Sequence, residues 1–366
     1  MSVKQPHPNI RFVMLGGFLG AGKTTALLRL AQRYVDTGLR VGIVTNDQGE
    51  ELVDTATFRT AGYATEEIPK GCFCRRLDEL LAAAGRLQDG HRPDVLLAEP
   101  VGSGTNLVNT VIRPLKEVYA DRFTVAPYVA LLDPERALEA LSGKGRAGFS
   151  AKVLYLYKMQ QNEADVVAIN KVDTLTPERL AEVKSLVEKN FPKAKVMAVS
   201  AKTGEGFDEF AAVLDSDAAA GVSAIEAGDL DAATVAEANE QLGWFNATWQ
   251  ITAPGGFDAN VLCVDLAGAI QDALKDIAAE PAHVKMILRS GDDMAIANLL
   301  SSDRPPELSR RCNSAMINAT LVVNCRVEAK SAVLREVVEE SVRGISRTCG
   351  INSGRTVAQQ ATLVDE

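Results

Sequence analysis

A chain of 366 residues is long enough for two domains, and its 46% hydrophobic and 24% charged residues are typical of a soluble globular protein. The formal net charge of −9, with no basic stripe, argues against a nucleic acid partner. We find no membrane-spanning apolar stretch and no secretory signal, and the six scattered cysteines form no disulfide framework. We therefore expect a cytoplasmic protein without a membrane partner.

Strand and helix patterns alternate over residues 1–215. They predict an α/β domain with a mainly parallel sheet and helices on both faces. Its predicted strands are 10–16, 40–45, 93–98, 123–132, 165–170 and 194–199. Residues 216–241, rich in Asp, Ala, Gly and Glu, are predicted to be a linker. Residues 242–366 then predict a smaller α+β domain, for which a ferredoxin-like sandwich is one candidate. It contains a hairpin around residues 291–293.

The first strand runs into a phosphate-binding pattern, G-x-x-x-x-G-K-S/T, and a helical pattern follows. Glycines let successive backbone N–H groups point at phosphate oxygens, and the helix N-terminus adds its positive dipole end. Lys23 would reach the β- and γ-phosphates, and the Thr24 hydroxyl would bind Mg²⁺. The predicted nucleotide-binding residues of this phosphate loop are Gly17, Gly20, Ala21, Gly22, Lys23, Thr24 and Thr25.

A second motif predicts which base is bound. A buried-strand pattern ends in Asn170-Lys171-Val172-Asp173, where the Asp173 carboxylate can accept two hydrogen bonds from guanine and Asn170 can contact its N7 atom. The Lys171 stem can cover the base. Adenine would leave the aspartate unpaired, which is costly in a buried site. A further strand leads into residues 200–202 (Ser200, Ala201 and Lys202), which would contact the base from the other side. GTP is therefore the predicted nucleotide.

Two carboxylates at predicted strand ends are candidates for the magnesium site and the attacking water. Glu99 begins the segment Glu-Pro-Val-Gly, and Asp47 follows the second strand. A carboxylate there can hold Mg²⁺ through a water or orient the nucleophile, and Lys23 completes the predicted catalytic set. The Gly102 N–H can approach the γ-phosphate and would lose that bond on hydrolysis.

These segments, together with Gly71-Cys72-Phe73-Cys74, resemble the CobW family of P-loop GTPases, which is related to the UreG, HypB and MeaB-type chaperones. The resemblance is strong over residues 10–215. It implies a slow GTPase that uses its nucleotide state to deliver a metal or metallocofactor to a client enzyme. It carries over the phosphate-binding role of residues 17–25, the magnesium or water role of Asp47 and Glu99, and guanine recognition by Asn170 and Asp173.

The chain departs from the family pattern at its cysteines. The family pattern is C-x-C-C, whereas here Arg75 takes the third position, so Cys72 and Cys74 supply only half of a tetrahedral soft-metal site. Zn²⁺ or Co²⁺ at this pair would need Glu66, Glu67, water, or the same pair from a second subunit of a homodimer. The other interpretation is a switch loop that binds no metal.

The segment from Glu99 to Gly104 resembles MeaB-like chaperones more than CobW proteins, so a corrinoid protein is an alternative client to a metalloenzyme. Three hypotheses remain open. The first is GTP-driven metal or metallocofactor delivery. The second is a regulatory switch or corrinoid-enzyme chaperone that carries no metal. The third is a small-molecule kinase, against which the guanine motif speaks.

Overall fold

The computed structural model describes residues 9–46, 53–68, 72–142, 148–216, 230–291 and 293–361. Asp47, Gly71, Asp292 and most of the predicted linker, 217–229, lie outside these residues. The chain divides into two compact units. The first comprises Met1–Ala147 and Leu154–Ala232, and the second comprises Gly148–Val153 and Ala233–Glu366. Among the described residues, no helix is both long and apolar enough to span a membrane.

The first unit is built on a parallel sheet. Its strands are β1 (Ile10–Gly17), β2 (Val41–Thr45), β3 (Ala64–Glu67), β4 (Val95–Glu99), β5 (Phe123–Val125), β6 (Val129–Leu132), β7 (Val166–Ile169) and β8 (Lys195–Ala198). The order is β3-β2-β4-β1-β6-β7-β8, with β5 also paired to β1. Every described pair in this sheet is parallel, and its central strands are almost continuously apolar, as expected for a sheet that is buried.

Eight described helices lie wholly or mostly in the first unit, together with three short helical turns. The helices are α1 (Lys23–Asp36), α2 (Val53–Thr60), α3 (Leu77–His91), α4 (Arg113–Glu117), α5 (Pro134–Leu141), α6 (Ala151–Asn162), α7 (Pro177–Asn190) and α8 (Phe207–Asp215). The turns are Phe73–Arg75, Val108–Ile112 and Val172–Thr174. On α1, Leu27 and Leu30 lie one turn apart on the same face and are fully buried in the core beside the central strands, which fixes the helix that begins at the phosphate loop.

Two details of this unit differ from the sequence prediction. The predicted strand 123–132 is divided into β5 and β6, because Pro127 between them has no N–H to donate to a ladder. Strand β3 was not predicted: its sequence, Ala-Thr-Glu-Glu, is polar and only half-buried at the edge of the sheet. Both differences leave the carboxyl ends of β1, β2, β4 and β7 at one edge, where ligands bind in parallel sheets.

The second unit contains an antiparallel sheet and two long helices. Its elements are α9 (Ala232–Gln241), β9 (Leu242–Phe257), α10 (Ala259–Asp276), β10 (Pro281–Ser290), β11 (Asp293–Leu299), β12 (Glu307–Arg310), β13 (Met316–Glu328), α11 (Ser331–Cys349) and β14 (Asn352–Ala361). The strand order is β12-β11-β10-β13-β9-β14. Strands β9, β10, β13 and β14 with α10 and α11 follow the β-α-β-β-α-β plan, to which β11 and β12 add an edge.

The predicted fold class, a mainly parallel α/β sheet with a smaller α+β unit, is confirmed. The hairpin predicted around residues 291–293 is confirmed as well, since Ser290 pairs with Asp293 across the turn. Residues 232–241 differ from the prediction, because they form helix α9 where the sequence indicated a linker. The segment lacks large apolar residues, but it is rich in Ala, Glu and Gln, which are strong helix formers.

Candidate functional site

The phosphate loop has a backbone that only glycine adopts readily. Gly17, Gly20 and Gly22 have φ values of 119°, 78° and 93°. A Cβ atom on Gly17 would lie 2.2 Å from the carbonyl oxygen of Leu131, so a side chain is excluded there by both backbone shape and space. Lys23 begins α1 and donates from Nζ to the Gly17 carbonyl at 3.0 Å. The Lys23 side chain therefore folds back over the phosphate loop, and its ammonium lies beside the backbone N–H groups of that loop.

Thr24 and Glu99 lie side by side next to this loop. The Thr24 Oγ1 atom donates to Glu99 Oε1 at 3.1 Å, and Glu99 is 6% exposed at the end of β4. The Asn46 N–H donates to the Glu99 carbonyl at 2.9 Å, which brings the ends of β2 and β4 together. A hydroxyl and a carboxylate are hard oxygen donors of the kind that Mg²⁺ prefers, so these residues fit that ion. Asp47, the other predicted carboxylate, lies outside the described residues.

Asn170 joins two loops that the sequence placed far apart. It is 1% exposed; its Nδ2 donates to the Ala21 carbonyl at 2.8 Å, and its Oδ1 accepts from the Ala201 N–H at 2.9 Å. Both polar atoms of the amide thus contact backbone, and the contact of Asn170 with the guanine N7 stays a prediction. The Asn170 side chain therefore connects the phosphate loop to residues 200–202, the predicted base loop. A Cβ on Gly22 would lie only 2.4 Å from Asn170 Nδ2, so this contact also requires glycine.

The predicted base-binding residues surround the end of β7. Asp173 is exposed and accepts from Ser200 Oγ at 2.6 Å, which fixes its orientation while leaving the carboxylate accessible. Lys171 has a left-handed φ of 61°, and its Nζ lies 2.9 Å from Asp133 Oδ2. An aspartate that is accessible and held by a neighbouring hydroxyl is suited to accept two hydrogen bonds from a base.

Arg29 holds the base loop by hydrogen bonds to two of its backbone carbonyls. On α1, its Nε donates to the Ala201 carbonyl and its Nη2 to the Lys202 carbonyl, both at 2.6 Å. The planar guanidinium matches two adjacent acceptors, a geometry that lysine cannot reproduce. The helix that follows the phosphate loop therefore also positions residues 201–202. In the same helix, the predicted phosphate residue Thr25 lies on the exposed side of the first turn.

The segment after β4 packs between the phosphate loop and the cysteine pair. A Cβ on Gly102 would lie 2.8 Å from Leu19 Cγ, and one on Gly104 would lie 3.3 Å from Cys72 Sγ. Gln160 of α6 donates from Nε2 to the carbonyls of both glycines at 2.9 Å. The predicted γ-phosphate contact, Gly102, is thus two residues from a contact with a thiol.

Cys72 and Cys74 lie beside one another. Cys72 caps the turn Phe73–Arg75, and the Cys74 N–H donates to Cys72 Sγ at 3.2 Å. A hydrogen bond from the Cys72 thiol lowers the pKa of Cys74, and Arg75 lowers it further. This hydrogen bond between the two thiols, together with burial, raises the pKa of Cys72. Of the two thiols, Cys74 is therefore the more readily deprotonated.

No third protein ligand accompanies the pair in the part of the chain that the structure describes, where no group of three or more His, Cys, Asp or Glu is arranged to hold a metal ion. Of the two predicted carboxylates, Glu66 accepts from Arg86 Nε at 2.6 Å, and burial raises the pKa of Glu67. Arg76 pairs with Glu79. The contribution of Glu66 or Glu67 to a cysteine site thus gains no support.

A fully buried carboxyl lies near the pair. Glu163 accepts from the Val108 N–H at 3.2 Å, and its burial raises its pKa to about 8. Burial, and then the charge of Glu163, raises the pKa of Tyr128, whose hydroxyl lies behind Gly16. Glu163 directly follows α6 and is hydrogen-bonded to the first residue of the turn Val108–Ile112.

Comparison with known proteins identifies the family of this arrangement. A family model described as the CobW/HypB/UreG nucleotide-binding domain matches residues 11–198, which contain the phosphate loop, the cysteine pair and the guanine motif. The chain belongs to the CobW/HypB/UreG family. The resemblance inferred from the motifs is therefore confirmed.

Individual relatives of this CobW/HypB/UreG chain match it in part. It is 30% identical over 169 residues to the zinc chaperone YeiR of Escherichia coli K12, covering 45% of this chain and 47% of that protein. It is 26% identical over 217 residues to the urease accessory protein UreG of Metallosphaera sedula, covering 55% and 91%. The chain spans 47%, 59% and 44% of the lengths of three curated relatives, including YeiR.

A solved structure, the Zn(II)-bound YjiA GTPase from Escherichia coli, matches 92% of this chain and 99% of its own. The sequence identity is 15% and the TM-score is 0.39, a likeness too distant to bear on function.

Four polar residues of this CobW/HypB/UreG chain escaped the sequence prediction: Arg29, Asp133, Gln160 and Glu163. None lies in a phosphate, magnesium or guanine motif, and the contacts described above span separations of 38 to 173 residues. The only signal available was polarity in an apolar context: Gln160 interrupts the apolar pattern of α6, and Glu163 directly follows that helix, ahead of an apolar strand.

Proposed function

We propose that this chain binds GTP in a Mg²⁺-dependent manner and hydrolyses it to drive delivery of a metal or metallocofactor to a client protein. The observation that carries the proposal is the convergence at one sheet edge of the phosphate loop, the Thr24–Glu99 pair and an accessible Asp173. Each part serves a different portion of the nucleotide: phosphates, metal ion and base. Family membership supports the nucleotide-binding step.

Hydrolysis would transfer the γ-phosphoryl group to water, with a new oxygen–phosphorus bond replacing the bond to the bridging oxygen of GDP. Lys23 and the loop N–H groups stabilise the charge on the phosphate oxygens, and Glu99 or Asp47 orients the water. Thr24 and Glu99 would hold Mg²⁺, which supplies positive charge against the triphosphate when bound. Gly102 would donate to the γ-phosphate only in the GTP state.

The cysteine pair and the relatives support the proposed cargo and client. The names of YeiR as a zinc chaperone and UreG as a urease accessory protein support metal delivery to an enzyme as the purpose of nucleotide binding. Cys72 and Cys74 supply two soft ligands for Zn²⁺ or Co²⁺, and water or a second copy of the chain would complete the shell.

The nucleotide half of the proposal is tested by base preference. Asp173→Asn replaces one acceptor with a donor, which no longer matches guanine but matches the extra carbonyl of xanthine. We expect the variant to lose affinity for GTP and gain affinity for xanthosine triphosphate, measured by calorimetry with Mg²⁺. Asp208→Asn, an exposed aspartate of α8, is the matched control. Equal GTP affinity in wild type and Asp173→Asn would overturn guanine recognition at this residue.

The cargo half is tested by metal binding to purified protein with GTP, with GDP and without nucleotide. We expect wild type to bind Zn²⁺ or Co²⁺ and the Cys72→Ser, Cys74→Ser double variant to lose that binding. Cys349→Ser, which changes an exposed cysteine of the second unit, is expected to bind as wild type does. Wild-type binding no stronger than that of the double variant, with GTP hydrolysis intact, would overturn metal delivery.

A second candidate is a GTP-dependent regulatory switch or corrinoid-enzyme chaperone that carries no metal itself. The specific observation in its favour is that the cysteine pair has no third Cys, His, Asp or Glu ligand among the described residues, with Arg75 adjacent. A client interaction that depends on GTP and persists after chelation would support this candidate. Loss of the interaction on chelation, restored by Zn²⁺, would favour delivery.

A further inference from the structure

Nucleotide state and thiol environment meet on one short segment, 102–104. At one end Gly102 packs so closely against Leu19 of the phosphate loop that a Cβ would lie 2.8 Å from Leu19 Cγ. At the other end Gly104 packs against Cys72 closely but less tightly, since a Cβ there would lie 3.3 Å from Sγ. Neither glycine can move far without displacing its neighbour, because close-packed interiors transmit small shifts rather than absorbing them.

One side chain fixes both ends of this segment. The Gln160 amide uses its two N–H groups to reach the carbonyls of Gly102 and Gly104, each at 2.9 Å. Two acceptors require the NH₂ end of the amide, so the orientation of the side chain is determined by its partners. Gln160 is 1% exposed, and both glycines are buried, so no bulk water can replace these bonds.

We propose that Gln160 is a positioning residue that couples the γ-phosphate contact of Gly102 to the Cys72–Cys74 pair, so that GTP and GDP give the thiols different accessibility. The inference rests on the proposed function in that it assigns Gly102 the γ-phosphate contact. The two-state element is segment 102–104, whose N–H bond to the γ-phosphate is gained with GTP and lost with GDP. Gln160 makes both glycines move together, and Gly104 then moves against the Cys72 sulfur.

The test compares Gln160→Met with Gln161→Met. Methionine keeps the length of glutamine and removes both hydrogen bonds. Gln161 is the matched control, because it is fully buried on the same helix and its amide has no hydrogen-bond partner among the described residues. The readout is the iodoacetamide alkylation rate of the cysteine pair, mapped by mass spectrometry, in chelator-treated protein with GDP or a non-hydrolysable GTP analogue.

We expect the wild-type alkylation rates in the two nucleotide states to differ by about fivefold or more, within the range of known allosteric couplings, and Gln161→Met to match wild type. In Gln160→Met the two rates should agree to within about twofold. The GDP affinity should stay near the wild-type value, because GDP has no γ-phosphate for Gly102 to contact, whereas an unfolded site would lose GDP as well. Should Gln160→Met fail to fold, Gln160→Asn, which withdraws the amide by one methylene, is expected to lose the difference as well.

Three results would overturn the inference: equal alkylation rates in wild-type protein, an undiminished rate difference in the Gln160 variants, or the same loss in Gln161→Met. Failure of the proposed function is read separately. Because alkylation is measured on metal-free protein, an absence of Zn²⁺ binding leaves this test in place. An absence of GTP binding by wild type is detected beforehand by calorimetry and overturns both.

Discussion

Replacing Asn170 with leucine tests whether this side chain holds the two nucleotide loops together. The substitution keeps the approximate size and removes both hydrogen bonds, leaving the Ala21 carbonyl and the Ala201 N–H without their partner. Ala21 is 1% and Ala201 is 4% exposed, so water cannot readily replace the amide. Each buried group left unsatisfied costs about 1–3 kcal/mol, which gives about 2–6 kcal/mol for the pair.

That cost is divided between stability and nucleotide affinity. Since 1.4 kcal/mol corresponds to tenfold in an equilibrium constant, we expect GTP binding to weaken by about tenfold or more. We also expect the urea midpoint of the far-UV circular dichroism signal to fall. Trp244 and Trp249 are the only tryptophans and lie in the second unit, so their fluorescence reports that unit and serves as the reference.

The control is Asn190→Leu. Asn190 makes one hydrogen bond, 2.8 Å from its Nδ2 to the Leu186 carbonyl, at the half-buried end of α7. The freed carbonyl there can bind water, so stability should change by no more than about 0.5 kcal/mol and GTP affinity should not change. If Asn170→Leu binds GTP as tightly as Asn190→Leu and unfolds at the same urea concentration, the proposed bracing of the loops is refuted.

Gly17→Ala should abolish nucleotide binding, because its Cβ would lie 2.2 Å from a backbone oxygen, whereas Gly85→Ala in α3 meets nothing within 4 Å and should bind normally. Calorimetric titration compares the two, and normal binding by both would contradict the loop geometry. Glu163 has a pKa of about 8 in the folded protein against 4.5 ordinarily, so the folded state retains a proton that the unfolded state loses. Stability should therefore fall as pH rises from about 4.5 to about 8, by up to about 1.4 kcal/mol per unit, and urea unfolding of Glu163→Gln should lack this slope. Arg29→Lys keeps the charge but loses the two-pronged donor, so GTP affinity should fall by about 1 kcal/mol; an unchanged titration would contradict the support assigned to it.

The phosphate loop could be predicted from sequence because its requirements are local. A glycine with φ near 119° followed by a lysine at a helix start is determined by neighbouring residues, and the structure has this arrangement at Gly17 and Lys23. The alternation of strands and helices is local in the same sense. The division of a predicted strand at Pro127 was also visible in the sequence, since proline lacks the N–H that a ladder needs.

What the sequence could not provide are contacts made across the fold. Asn170 was predicted from its motif to contact the base, but its bonds to backbone 149 residues earlier and 31 residues later were not predicted. Gln160 reaches carbonyls 58 and 56 residues away, and nothing in an apolar helix indicates which loop a buried amide will contact. Such residues become recognisable only when the acceptors that surround them are known.

The cysteine pair shows why these distant contacts matter for the proposed function. Two sulfurs with open coordination positions bind a soft cation less tightly than a closed four-ligand site, and a carrier must also release its cargo. A cysteine loop held only by contacts within itself would place Cys72 in the same position in the GTP and GDP states. Gly104 packs against Cys72 and is fixed to Gly102 through Gln160, so under the proposed coupling a change at the γ-phosphate would reach the sulfur by contacts that are already in place. An incomplete ligand set next to such a segment is therefore better suited to transfer than to storage.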